Sequence, residues 1–154
     1  WDVGAVCNGI LGGLVSITAG CSVTYPWSAV VMGFIGGFVY FGASKCVLNV
    51  CKVDDPLDAF AVHGACGFWG VFGVGLFAAP NYAYASGKGL FYGSPNALGA
   101  ACVCLFAEIG WVVLLSLAMF LPLKLLGILR VSAEIEAAGM DVSKHGGSAY
   151  LYEK

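Results

Sequence analysis

Residues 52–70 read KVDDPLDAFAVHGACGFWG. Three carboxylates, Asp54, Asp55 and Asp58, surround Pro56, and the charge then stops: from residue 59 to residue 79 the only Lys, Arg, Asp, Glu or His is His63. A hydrocarbon core of about 30 Å needs about 20 helical residues. Residues 57–79 meet that length, so the stretch predicts a membrane-spanning helix with an imidazole inside it. An ionisable group at that depth faces a cavity, a pathway or a partner rather than lipid. Five residues from Asp58 to His63 turn a helix by about 140° and advance it by about 7.5 Å, so no direct pair between them is expected. Gly67 and Gly70, four and seven residues on, are expected to leave a bare strip of helix beside the ring. Two roles stay open for His63: hydrogen bonding to a neighbouring helix, or lining a path.

Outward from this stretch, the same ruler finds three further spans, at residues 3–21, 27–44 and 97–129. The last is longer than the bilayer requires and contains Pro122, which predicts a tilt, a kink or an interfacial extension. Residues 1–130 thus read as one transmembrane domain with four spans, and residues 131–154 as a soluble tail. The fold class is all-α, a polytopic transmembrane helical bundle. Composition agrees. Charged residues are 10% of the 154, against about 25% in soluble domains, while 60% are hydrophobic and 23 are glycine. The apolar content excludes a disordered chain, and a net charge of −2 offers no basic footprint for nucleic acid. A chain that opens on Trp1, with no charged leader before its apolar pattern, reads as one part of something larger.

Seven cysteines show neither a CxxC pair nor metal-ligand spacing, so no metal and no cofactor is expected. Glycines and Ser16 recur at helix-contact spacing: Gly9 with Gly13, Gly12 with Ser16 and Gly20, Gly33 with Gly37, and Gly64, Gly67, Gly70 and Gly73. Such ridges let backbones approach where lipid removes the hydrophobic drive. Lys45 and Lys52 in one loop, and Lys124, Arg130 and Lys144 at the end of span four, against Lys88 alone in the Tyr-rich loop, place the 45–56 loop and the C-terminus in the cytoplasm.

Other polar residues keep two roles each. Asp54, Asp55 and Asp58 either cap the helix N-terminus or line its mouth. Thr18 either bonds the preceding turn or faces the pathway. Glu108, deep in the fourth span, is an unexpected charge.

Three strings together, CNGILGGLVSITAGCSV, KVDDPLDAFAVHGACGFWG and LRVSAEIEAAGMDVSKHGGSAY, resemble the ammonium transporter family (Amt/Mep/Rh), and the tail is most similar to its plant-like Amt1 branch. Against the family's eleven spans, this chain resembles the last four. The resemblance implies a homotrimer in the plasma membrane. In each protomer ammonium is deprotonated and crosses an apolar pore as ammonia past two histidines. His63 falls on the second of them; the first, with the vestibule and gating aromatics, belongs to N-terminal spans outside this sequence. Thr18 falls on a pore-side Thr, and Asp58, with Asp55 beside it, on the acidic mouth of the His-bearing helix. Ser143 falls on a phosphorylatable position of the tail, where added negative charge near Asp141 and Lys144 would undock it; its other reading is a turn cap near Gly139. Glu108 departs from the family pattern, in which an apolar or neutral residue is usual there. Carrying a neutral molecule avoids a charge in low dielectric, and a neutral imidazole donates at one nitrogen and accepts at the other. The readings in competition with a transporter are a non-conducting ammonium sensor or assembly module and, within transport, a Rh-type gas channel. No nucleophile and base pair suggests an enzyme.

Overall fold

The computed structural model describes residues 2–82 and 87–147, except for the side chain of Val142. It divides into two compact units, residues 1–108 and 109–154. The helices are α1 (Val3–Thr18), α2 (Pro26–Lys45), α3 (Cys66–Phe77), α4 (Asn96–Leu125), α5 (Ala133–Ala138) and α6 (Met140–Lys144). Two π-helical segments continue the spans: π1 (Cys46–Val50) prolongs α2, and π2 (Phe60–Ala65) leads into α3. Among the described residues the only β-type pairing is an isolated bridge between Thr24 and Ala78.

Three helical stretches are long and apolar enough to cross a membrane: Pro26–Val50, Phe60–Phe77 and Asn96–Leu125. The first apolar stretch is shorter than its hydropathy suggests, because α1 ends at Thr18 after 16 residues. Residues 19–24 then fold into turns, closed by bonds from the Val23 and Thr24 N–H groups to the Gly20 carbonyl.

Local chemistry sets the ends. Asp2 caps α1, its carboxylate accepting from the N–H groups of Gly4 and Ala5. Pro26 begins α2, where a missing N–H costs nothing. Pro56 lies outside its helix: the Asp58 N–H donates to the Asp55 carbonyl at 3.0 Å, a β-turn with Pro in its favoured second place. Asp58 follows with φ +54°, and only then does the helix start.

In the first unit α1 packs on both α2 and α3, and the contact is made by small residues. A Cβ on Gly70 would lie 2.7 Å from the Ser16 carbonyl oxygen, and one on Gly36 would overlap the Ser16 side chain. Gly12 meets Tyr40 and Cys66, each at 3.1 Å from a built Cβ. Gly13 and Gly33 face each other as their spacing suggests, but Gly37 has nothing within 4 Å. The working glycine of α2 is Gly36. Around this seam Tyr40, Ala61, Val62 and Cys66 form a buried cluster, and the Trp69 indole donates to the Met32 carbonyl at 3.0 Å.

At the far end of this unit the Ala79 N–H donates to the Val23 carbonyl at 2.7 Å, and the Gly89 N–H to that of Ala78 at 2.8 Å. Aromatic rings gather there, with Tyr25 against Tyr82 and Tyr92, and Phe77 against Trp27 and Phe91. Such rings suit a membrane–water boundary.

In the second unit Ser132 caps α5 and Arg130 pairs with Glu136 at 2.7 Å, both exposed. Gly139, at φ +87°, allows the reversal between α5 and α6.

Candidate functional site

The acidic turn before π2 divides its work between two carboxylates. Asp55 caps the helix, accepting from the N–H of Ala59 at 2.8 Å and of Phe60 at 2.9 Å. Asp58 instead reaches across the bundle. Its carboxylate accepts from the Ser44 hydroxyl at 2.7 Å, the Tyr40 hydroxyl at 2.9 Å and the Asn8 amide at 3.4 Å. Asn8 also meets the Leu57 carbonyl at 3.4 Å. Three donors and no acceptor suit a half-buried ionised carboxylate. They also hold Asp58 in the left-handed region, which costs an L-residue about 1–2 kcal/mol and persists only where surroundings over-determine it. This knot ties α1, α2 and the start of π2 together. Asn8 and Tyr40 carry no charge and stand in separate helices, so sequence reasoning passed over them; the signal available was a polar residue inside each apolar span.

From that anchor the chain must bring Ala61, Val62 and Cys66 to the buried face, all at most 2% exposed. The π-winding of Phe60–Ala65 supplies the extra residue that reconciles the anchored start with the packed face, and π-segments of this kind concentrate at functional sites. His63 lies in the middle of π2, turned away from the core and exposed. No described residue hydrogen-bonds its imidazole, and neither Asp55 nor Asp58 touches it. Phe60 lies over Gly64, 2.9 Å from the Cβ that a side chain there would have. The expected bare strip beside His63 is not formed. Gly70 is spent on contact with Ser16, and Gly67 looks toward Val15, because the extra π residue rotates the following helix and turns its glycines onto α1.

Thr18 donates its hydroxyl to the Leu14 carbonyl at 2.8 Å and is exposed. α1 and the π2–α3 helix run side by side in the same direction, Asn8 level with Asp58, Gly12 with Cys66 and Ser16 with Gly70. Thr18 therefore stands about 9 Å or more beyond His63 along the axis, at about 1.5 Å per residue. The two do not meet.

Glu108 and Ser143 are exposed, and Ser143 donates to the Gly139 carbonyl at 2.7 Å. Among the described residues no cluster of three His, Cys, Asp or Glu could hold a metal ion.

Comparison with known proteins accords with this architecture. A family model described as Ammonium Transporter Family matches residues 1–150. Ammonium transporter 1 member 1 of Oryza sativa subsp. japonica is 46% identical over 99% of this chain and 32% of its own length. Ammonium transporter 1 member 3 of Solanum lycopersicum is 46% identical over 97% of this chain and 35% of its own. The crystal structure of Saccharomyces cerevisiae Mep2 superposes with a TM-score of 0.78 at 28% identity, over 87% of this chain and 31% of that one. A structure described as Sensor Amt Protein gives 0.81 at 35% identity, over 93% and 34%. The chain spans about a third of the length of these curated relatives. With the helical bundle, its apolar spans and a match over nearly every residue, the chain belongs to the ammonium transporter family.

Proposed function

We propose that a protein carrying this chain moves ammonium across a membrane, and that His63 lines the path on which the deprotonated form crosses. One observation carries the reading: an imidazole in the body of an apolar span, held at a π-turn, exposed, and without a hydrogen-bond partner in its own bundle. An ionisable group so placed is expensive unless a pathway or another polar group receives it. The neighbouring core is built from glycine and serine contacts and offers the ring nothing. The family supports ammonium as the substrate.

On this reading Thr18 is a second polar position on the path, nearer the aromatic end. Asp58 and Asp55 form the mouth by holding the helix start, with no proton taken from substrate. Ammonium and potassium are alike in size and charge, so selection requires groups that read N–H bonds. An imidazole can donate at one nitrogen and accept at the other, and so pass ammonia along while its ion stays behind. Further N-terminal spans complete the path, three protomers assemble, the lysine bias keeps the C-terminus in the cytoplasm, and the plasma membrane is the site of action. Ser143, exposed on the tail, is the position where phosphate would act. Beyond the loss of its proton to water on the entry side, the substrate undergoes no chemical conversion, and no cofactor is required.

A second reading is a non-conducting ammonium sensor or assembly module, favoured by the likeness to the structure described as Sensor Amt Protein. Expression of the complete reading frame in yeast lacking ammonium uptake separates the two. Rescue on limiting ammonium that is lost in His63→Ala, at equal surface abundance, supports transport through this residue. Rescue indifferent to His63 assigns it to structure, and no rescue by the intact protein favours the sensor.

A further inference from the structure

Cysteines five apart in sequence normally do not meet on a helix, since five residues carry the chain about 140° past its starting face. At the end of α2 the winding changes. Cys46 opens π1, and the Cys51 N–H donates to the Cys46 carbonyl at 2.9 Å, an i to i+5 bond that returns Cys51 over Cys46. The Val53 N–H reaches the Val47 carbonyl at 3.1 Å, and Lys52, at φ +56°, ends the helix. Cys46 and Cys51 are both free and exposed. Cys46 lies close enough to push the Cys51 thiol above its ordinary range, mainly through repulsion between the two thiolates, with desolvation adding to it.

Two sulfurs with no third ligand are a specific donor set. Among the described residues no further His, Cys, Asp or Glu joins them in a metal-sized cluster, so the four ligands of a structural zinc are not met. Soft thiolates select soft ions.

We propose that Cys46 and Cys51 form a two-sulfur site for a soft, two-coordinate ion of the Cu(I) class at the tip of α2. Binding exchanges two S–H bonds for two metal–sulfur bonds and releases two protons, and the ion keeps its oxidation state.

The test uses the complete polypeptide, purified under reducing conditions, as wild type, Cys46→Ser, Cys51→Ser and, as an exposed control, Cys7→Ser. The side chains of Cys46 and Cys51 are exposed, so both variants keep the wild-type elution profile. Phenylarsine oxide tests the pairing: its oxygen leaves as water while two arsenic–sulfur bonds form, and the adduct resists excess monothiol. Cu(I) offered as its bathocuproine disulfonate complex tests the ion, read by loss of the complex's absorbance. The wild type and Cys7→Ser gain one arsenical adduct and one copper equivalent that both Cys46→Ser and Cys51→Ser lose. Retention of either by a single-serine variant, or uptake of neither by the wild type, overturns the site. Capture of the arsenical without copper overturns the ion.

Discussion

Replacing Gly70 by Ala tests the packing seam on which the bundle depends. The added methyl would lie 2.7 Å from the Ser16 carbonyl oxygen, 3.2 Å from its carbon and 3.3 Å from the Val15 oxygen. All three are backbone atoms, so no rotamer change relieves the overlap. α1 and α3 must part by roughly 0.5–1 Å to restore ordinary contact distances. Such overpacking costs about 1–3 kcal/mol, partly offset by the gain of about 1 kcal/mol for Ala over Gly in a helix. Gly37→Ala supplies the reference, because nothing lies within 4 Å of its built Cβ and the helix-propensity gain is the same. The difference between the two variants isolates the steric cost at about 1–3 kcal/mol. Thermal stability of the complete polypeptide in detergent, followed by fluorescence-detected size exclusion, reads it. Gly37→Ala melts at or slightly above the wild type and Gly70→Ala melts below it. Equal melting of the two variants would refute the seam.

Three further outcomes follow from the hydrogen bonds. Asp58→Ala strands three donors and lowers stability by about 2–4 kcal/mol, more than Tyr40→Phe at about 1 kcal/mol; a Tyr40/Asp58 double-mutant cycle read by thermal melts shows coupling, and strict additivity would deny the knot. Asp55→Ala removes a helix cap and costs about 0.5–2 kcal/mol, and Asp55→Asn, with one acceptor oxygen where the carboxylate uses two, restores only part of it; hydrogen exchange at the Ala59 and Phe60 amides reports it, and unchanged protection in the Ala variant would contradict the cap. Ser143→Ala, at an exposed and locally bonded position, leaves the melting temperature unchanged, while Ser143→Asp lowers ammonium uptake by the complete protein; unchanged uptake would remove Ser143 as a switch.

The apolar spans were legible because hydropathy and length act locally, and the span at residues 57–79 needed only its charge boundary. Their ends were less so. Span one reads to Cys21 by hydropathy, yet its helix stops at Thr18 because the backbone of residues 19–24 bonds to itself and to Ala79. Gly36 and Gly37 are indistinguishable to any spacing argument, since which one meets Ser16 depends on how α2 is rotated against α1. The π-turn at His63 leaves no mark in composition: it arises from the mismatch between an anchor at Asp58 and a packed face at Ala61, Val62 and Cys66. It also defeats the estimate that Gly67 and Gly70 share a strip with the imidazole, which assumed an unbroken 3.6-residue period. His63 itself stood out from sequence for one physical reason, an ionisable group in an apolar span. Asn8, Tyr40 and Ser44 did not, because their role exists only once three helices converge on one carboxylate.

The central claim, that His63 lies on the ammonium path, is tested most directly by flux through proteoliposomes containing the complete polypeptide, wild type against His63→Ala, at equal protein content and equal melting temperature. The account predicts ammonium flux in the wild type and a marked change in rate or in selectivity against potassium in the variant. Identical flux and selectivity from both proteins would contradict it.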